Sequence, residues 1–371
     1  MTTTDRSPSP STPAPTSSGP AIPDEEVLGA LVGQAVGEFA SILNGALVVI
    51  GDRLGLYRAL ATGGSLTPAE LAERTDTVTR NVREWLCAQT AAGYVTHDGD
   101  DHFSLSVEQT LALTDEDCPA FVVGGFQAMA AAARSVDALT EAFRTGSGLG
   151  WDAHDHDLFH GTQRFFRPGY RANLVSSWIP ALDGVEERLR AGGQVADVGC
   201  GLGASSILLA AAYPNTSVVG FDYHAPSIAA ARAEARAAGV ADRARFEVAG
   251  ATELSGGPFD LICYFDCLHD MGDPVGALTH ARGHLTDDGV VLLVEPFAGD
   301  TLEDNLNPVG RVFYAASTLI CTPASQAQDV GLALGAQAGE ARLREVAEAA
   351  GFRRFRRAAE TPFNLVLEAR P

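Results

Sequence analysis

Two groups of residues in this sequence have the types and spacing to do chemistry. The first is Asp197-Val198-Gly199-Cys200-Gly201-Leu202-Gly203, with a second acid, Asp222, further on. Glycines in such a run let the backbone turn tightly and approach a ligand closely. An acid about 20 residues later, at the end of the next strand, can accept both ribose hydroxyls of a nucleoside. The second group is His269-Asp270-Met271-Gly272-Asp273, together with Glu295. Imidazole, with a free pKa of about 6.5, suits removal of a proton from a hydroxyl as that hydroxyl attacks. The plainer role for His269 is a helix cap or a packing residue. Asp270 either orients His269 or faces solvent. Glu295 either orients His269 or a substrate amine, or ends its strand in water.

The glycine run fits two nucleoside cofactors. Gly199-x-Gly201-x-x-Ala204 satisfies the dinucleotide fingerprint. Asp197 separates the two cases, because a carboxylate two residues before the first glycine would repel a pyrophosphate. A ligand bearing a sulfonium and an ammonium and no phosphate, S-adenosyl-L-methionine, is favoured there.

Composition removes other chemistries. All 26 basic residues are arginine, and the formal net charge is −21. A phosphate-binding loop needs its lysine, and a pyridoxal enzyme its Schiff-base lysine. A chain this acidic repels a phosphate backbone, so nucleic acid is not expected as a partner. His154-Asp155-His156-Asp157 with His160 has metal-ligand residue types. Leu158 breaks the spacing of dinuclear zinc hydrolases, and a solvated loop is expected, with no metal. The six cysteines contain no CxxC pair and are expected as buried thiols. No uninterrupted apolar run reaches the ~18 residues of a membrane span, and no secretory signal pattern opens the chain, so a cytoplasmic location is expected.

These residues need elements to hold them. From Gln194 onward, strands (Val195–Val198, Ser217–Phe221, Ala244–Val248, Phe259–Phe265, Val290–Glu295) alternate with Ala-rich helices. That order predicts a parallel sheet covered on both faces. Arg353–Ala358 and Phe363–Glu368 are joined by so short a link that only an antiparallel pair is allowed. In such sheets ligands bind beyond the carboxyl ends of the strands, where both residue groups fall. Residues 299–339 are too many for a plain connection. Within them Val312–Leu319 is predicted to be helical and to cover the substrate pocket.

The front of the chain reads differently. Residues 1–23 are rich in Pro, Ser and Thr and predict a disordered tail. A helical pattern starts near Glu25 and resumes, after an irregular stretch, towards Gly51. Residues 52–112 read as three helices and a hairpin, a winged helix. Thr67-Pro68-Ala69-Glu70 starts one helix, and a hairpin runs from Tyr94 to Leu105 around a polar tip at His97–Asp101. Residues 50–112 hold five arginines against nine acids, the reverse of a DNA-binding surface. Residues 120–190 are mostly helical, with a Gly- and His-rich break from Gly146 to Gly161. Arg353-Arg354-Phe355-Arg356-Arg357 reads as a surface feature at a sheet edge.

The run Val195–Leu209, Asp222 and the terminal hairpin resemble class I S-adenosylmethionine-dependent methyltransferases. The winged helix, Phe165-Phe166-Arg167-Pro168-Gly169-Tyr170 and Glu295-Pro296-Phe297 resemble a bacterial small-molecule group within that class. The resemblance implies a Rossmann-like, seven-stranded α/β sheet whose last strand is antiparallel, behind an α-helical winged-helix dimerisation domain. The domains would be 24–118 (winged helix), 119–190 (helical linker and pocket region) and 191–371 (cofactor-binding and catalytic). It implies that Asp197, Gly199, Gly201 and Gly203 line the methionine part of the cofactor and that Asp222 holds the ribose. Tyr223, Gly250 and Ala251 would border the adenine, with Phe265 and Asp266 near the transferred methyl. His269-Asp270-Met271-Gly272-Asp273 is similar to the His-Asp-Trp-x-Asp segment of small-molecule O-methyltransferases, whose His is the base; here Met stands for Trp. The expected activity is methyl transfer to a hydroxyl of an aromatic or polyketide-like metabolite by a homodimer, with His269, Asp270 and Glu295 at the reaction centre. The alternatives are methylation of carbon or nitrogen on an electron-rich ring such as an indole, and a DNA-binding regulator with a ligand-sensing C-terminal half.

Overall fold

The computed structural model describes residues 23–371. The expected disordered tail, all but Pro23, therefore lies outside the described residues. By internal contacts the chain divides once, into Met1–Leu43 and Asn44–Pro371, so the winged helix, the helical region and the sheet share one unit.

Helix α1 (Glu25–Arg53) is continuous, without the irregular stretch expected before Gly51. A Cβ at Gly51 would meet the rings of Trp85 and Tyr57 at 2.5 and 2.8 Å, so only glycine fits beneath them. Asp24 starts the helix, its Oδ1 accepting from the amides of Glu26 (2.9 Å) and Val27 (3.2 Å). Val27, Leu28, Leu31, Val32, Val36, Phe39, Ile42 and Leu43 are all more than half exposed. By length and composition, α1 is the one helix among the described residues apolar and long enough to cross a membrane. Its last turns belong instead to a protein core, where Val48 and Val49 are buried.

The winged helix consists of α2 (Leu56–Gly63), α3 (Pro68–Arg74), α4 (Thr79–Ala91), β1 (Thr96–Gly99) and β2 (His102–Ser104). Thr67 and Glu70 form the predicted capping box at α3. The strand begins at Thr96 rather than Tyr94, because the amides of Tyr94 and Val95 are taken by the carbonyl of Gln89 at the end of α4. The hairpin tip shrinks to Asp100 and Asp101, both at positive φ. The core gathers Leu60, Leu71, Leu86 and Phe103 around an edge-on Tyr57–Trp85 pair.

Helices α5 (Val107–Thr114), α6 (Val123–Ala133), α7 (Val136–Thr145) and α8 (Asp157–Asn173) follow. The Gly- and His-rich break ends at His156, earlier than expected, because Gly161 is a contact glycine inside α8. A Cβ there would lie 2.4 Å from the amide nitrogen of Ala128 on α6. That close crossing fixes the face of α8 carrying Phe159, Phe166 and Tyr170.

After α9 (Val185–Ala191) comes the sheet: β3 (Gln194–Val198), β4 (Ser217–Asp222), β5 (Ala244–Val248), β6 (Phe259–Phe265), β7 (Leu285–Pro296), β8 (Arg354–Glu360) and β9 (Asn364–Arg370). The order is β5-β4-β3-β6-β7-β9-β8. β5, β4, β3, β6 and β7 are parallel, and β9 runs antiparallel to both its neighbours. Alternation assigns the two faces. Val195, Leu261, Val290 and Leu292 pack with Trp178, Leu209 and Ile228; Ala196, Ile262, Tyr264 and Leu293 pack with Leu278, Leu343 and Val346. The covering helices are α10 (Ala204–Ala212), α11 (Ala225–Ala237), α12 (Pro274–Gly283) and α15 (Gly339–Ala349), with α13 (Pro308–Ala316) and α14 (Thr322–Gln326) between β7 and α15. β8, with its arginines, is the edge strand. Arg356 pairs with Glu368, and Arg357 with Glu340 and Glu360.

Candidate active site

The parallel strands end together. Val198 lies opposite Phe221 and Tyr264, and Phe265 opposite Val294. Gly199, Asp222, Ala249, Asp266 and Glu295 therefore follow or end strands along one edge. A cavity of about 540 Å³ opens at this edge, within the usual range of roughly 300–1,000 Å³ for small-molecule sites.

The glycine turn forms one wall. Gly201 has φ +52°, and a Cβ there would meet nothing within 4 Å, which leaves its backbone open to a ligand. Gly203 has another job: a Cβ on it would fall 2.8 Å from the ring of Phe246, so it seats α10 and does not line the cavity. Gly199 lines the cavity. Asp222 also lines it, fixing the turn by accepting the Gly201 amide on Oδ2 (2.9 Å) and the His224 amide on Oδ1 (2.8 Å). Burial raises its pKa above the usual carboxylate value, opposed by those two amides. Tyr223, Gly250 and Ala251 line the same cavity.

Asp197 is placed differently from the sequence expectation. It is fully buried behind the turn, not on the cavity wall, with Oδ2 accepting from Ser205 Oγ (2.6 Å) and Ser206 Oγ (2.5 Å). Its Oδ1 has no donor. Burial pushes its pKa up to about 6, with the serine hydroxyls pulling the other way.

Phe265 and Asp266 end β6 and line the cavity. Asp266, at φ +49°, accepts Tyr170 Oη (2.7 Å) and Asn364 Nδ2 (3.0 Å). Burial pushes its pKa up to about 8, against the pull of the Tyr170 hydroxyl.

His269 is 3% exposed and sits just behind the wall. Its Nδ1 contacts Glu295 Oε2, while Glu295 Oε1 accepts the Leu268 amide at 3.0 Å. Glu295 thus orients the imidazole. Nε2 faces Asp270 Oδ1 at 3.1 Å. Burial alone would lower the His269 pKa, but Glu295 and Asp270 outweigh it and hold the pKa well above the ordinary 6.5. Asp270 does line the cavity, and its Oδ2 accepts Trp151 Nε1 at 3.0 Å. Cys321 stands against the same pair: its sulfur lies within 4.8 Å of donor atoms of His269 and Asp270, a grouping the sequence spacing did not suggest.

The His154–His160 segment contributes none of its polar residues to the cavity. His154 is buried against Ser135 Oγ (2.9 Å), Asp155 and Asp157 are bound by Arg134, and His156 and His160 meet each other at 3.0 Å. From this region the cavity takes Trp151 and Phe159 instead. The predicted cover, Val312–Leu319, does not line the cavity either. That work falls to Ala324, Ala327, Gln328 and Asp329, which follow a π turn at Ser317–Cys321. Cys87 is exposed, contrary to expectation, whereas Cys200, Cys263 and Cys321 are buried.

Sequence reasoning missed Trp151, Asn364 and the role of Tyr170. Phe166 and Tyr170, four residues apart, carry a weak signal as one helix face; the other two carry none.

Comparison with known proteins agrees with this geometry. Residues 196–291 match a methyltransferase domain family, and residues 43–115 match the Rv2258c-like winged HTH domain. An uncharacterised protein of Synechococcus sp. is 30% identical over 100 residues, 26% of this chain and 24% of that protein, so the chain spans about a quarter of that relative's length. A mitomycin 7-O-methyltransferase structure is similar over 94% of this chain and all of that one (TM-score 0.67, 20% identity). A putative O-methyltransferase of Nostoc punctiforme is similar over 94% and 99% (0.69, 19%). Human N-acetylserotonin methyltransferase is similar over 95% and 99% (0.68, 17%). The domain matches and the sheet topology support a class I methyltransferase with an N-terminal winged-helix domain.

Proposed function

We propose that the chain transfers the methyl group of S-adenosylmethionine to a hydroxyl of a small aromatic acceptor. The observation that carries this reading is one cavity joining Gly201 and Asp222 at one end to Asp270, backed by His269 and Glu295, at the other. The donor set suits this cofactor: Asp222 can receive ribose hydroxyls, and Gly201 leaves room for close approach. Among the described residues no arginine lines the cavity, so a dinucleotide pyrophosphate would find no arginine partner there. When bound, the cofactor supplies an electrophilic methyl for direct displacement. The neighbours support the reading through their printed names, two of which speak of O-methyl transfer and one of a complex with S-adenosylmethionine.

The chain's own residues align the acceptor and take its proton. Asp270, whose side chain lines the cavity, can accept a hydroxyl's hydrogen bond. His269, tied to Glu295 through Nδ1, is the base behind it in its neutral form. The sign of the pH dependence follows. A raised His269 pKa keeps the ring protonated at low pH, and the base form grows as pH rises through that value. We expect kcat/KM to fall on the acid side with a midpoint above 6.5. Glu295→Gln removes the largest raising charge, so the midpoint should move to lower pH. A pH–rate profile checks this; a midpoint at or below 6.5 that Glu295→Gln leaves in place removes His269 from the role.

The winged helix, in this reading, serves assembly rather than DNA. On α4, Arg80 pairs with Glu84 and Arg83 with Asp101, which neutralises the face that would meet phosphates. The apolar residues Leu28, Leu31, Val32 and Phe39 on α1 are suited to pairing with a second copy in a two-fold dimer. Light scattering should give a dimer for the native chain and a monomer for the Leu31→Glu, Phe39→Glu double variant. A monomeric native chain, or a salt-sensitive gel shift at submicromolar protein, sinks this assignment.

A further inference from the structure

Asp270 is held from two sides by residues far from it in sequence. Trp151 Nε1 donates to its Oδ2 at 3.0 Å, and Gln328 Nε2 donates to its main-chain oxygen at 2.9 Å. Gln328 Oε1 also accepts the Gly272 amide at 3.1 Å, so one side chain spans the turn from Asp270 to Gly272. Nearby, Ser325 Oγ donates to the Met271 oxygen (2.8 Å) and the Leu332 amide to the Gly272 oxygen (2.9 Å). The loop that carries Trp151 is in turn fixed to the segment that carries Gln328. The Leu149 amide donates to the Pro323 oxygen at 2.9 Å. A Cβ at Gly148, where φ is +69°, would fall 2.4 Å from that oxygen and from the Ala327 nitrogen, so only glycine allows the approach.

These contacts bear on the base. Asp270 Oδ1 is ion-paired with His269 Nε2 at 3.1 Å. The two oxygens of a carboxylate share one rigid plane, so a donor that holds Oδ2 also holds Oδ1 against the imidazole. Without the indole donor, Oδ2 becomes a buried acceptor with no partner, which is costly. Rotation towards the cavity, which Asp270 lines, relieves that cost and draws Oδ1 away from His269. The other groups facing His269 are Glu295 of β7, Asp266 and Cys267 at the end of β6, and Cys321 of the π turn. Of all these, Asp270 is the one that the indole N–H reaches.

Resting on the methyltransferase reading, we propose that Trp151 and Gln328 are positioning residues of the reaction centre. Trp151 holds the Asp270 carboxylate against His269, and Gln328 holds the main chain that carries it. Nitrogen NMR of the full chain, labelled at histidine and tryptophan, tests this without an acceptor. The His269 signal is assigned by its loss in His269→Gln, and its protonation midpoint is read against pH. In Trp151→Phe, which keeps a ring and removes the N–H, that midpoint should fall by at least about 0.5 unit, since a nearby opposite charge shifts a pKa by about 1–3 units. Gln328→Met should lower it in the same direction. The indole signals of Trp85 and Trp178 should stay in place in both variants, which shows that the fold is kept. In the native chain the Trp151 indole signal, identified by its loss in Trp151→Phe, should move with pH at the His269 midpoint. A midpoint that holds or rises in Trp151→Phe overturns the proposal, as does a native Trp151 signal indifferent to the His269 titration, whatever the stability of the variant. A midpoint unmoved in Gln328→Met removes Gln328 from the role. S-adenosylhomocysteine binding to the native chain is measured by calorimetry alongside; its absence counts against the methyltransferase reading and leaves the His269 result standing.

Discussion

His269→Ala is expected to lower kcat by about 10²–10⁴, the usual loss on removing a general base, with cofactor affinity near that of the native protein. The cofactor end is built from the turn after β3 and the ends of β4 and β5, whereas His269 follows β6 and leans on Glu295 of β7. The substitution leaves two buried carboxylates without their cation, so some loss of stability accompanies it. His269→Gln, which keeps most of the volume and a donor, separates the two effects. It should hold Tm near the native value and still lose turnover. His156→Ala is the matched comparison. His156 is exposed, meets His160, and lies off the cavity wall, so its loss should leave turnover unchanged. Full activity in His269→Ala would mean that the acceptor needs no base, as for an electron-rich carbon.

Asp222→Ala should weaken S-adenosylmethionine binding by about 10–100-fold, because hydrogen bonds to a charged acceptor contribute ~1.5–3 kcal/mol. Asp222 acts twice, since it also receives the Gly201 and His224 amides and thereby shapes the turn. Asp222→Asn keeps one acceptor oxygen and should fall between the native protein and Asp222→Ala. The measurement is calorimetric titration of each variant, with Tm recorded alongside. An unchanged Kd in Asp222→Ala would place the nucleoside elsewhere.

What could be read from the sequence was whatever depends on neighbours along the chain. The strand–glycine turn–helix unit, the acid ending the next strand and the capping box at Thr67 all follow from local rules. The alternation of strands and helices adds the sheet edge, and with it the placement of Gly201, Asp222, Phe265 and Asp270 around one cavity. What stayed hidden depends on distant pairs. Trp151 reaches Asp270 across 119 positions, and Asn364 reaches Asp266 across 98. Neither pairing leaves a pattern in any short window. Asp197 shows the limit of arguing from charge alone. Its type suited a cation, but two hydroxyls from α10 draw it behind the turn. The uninterrupted α1 is another case, where a glycine that should weaken a helix is held under Trp85 and Tyr57.

The central claim is that the cavity beside the glycine turn takes a cationic, phosphate-free nucleoside. Titration calorimetry of the native chain with S-adenosylmethionine and, separately, with NAD tests it most directly. The account predicts saturable binding of S-adenosylmethionine and none of NAD; tight binding of NAD with no binding of S-adenosylmethionine would contradict it.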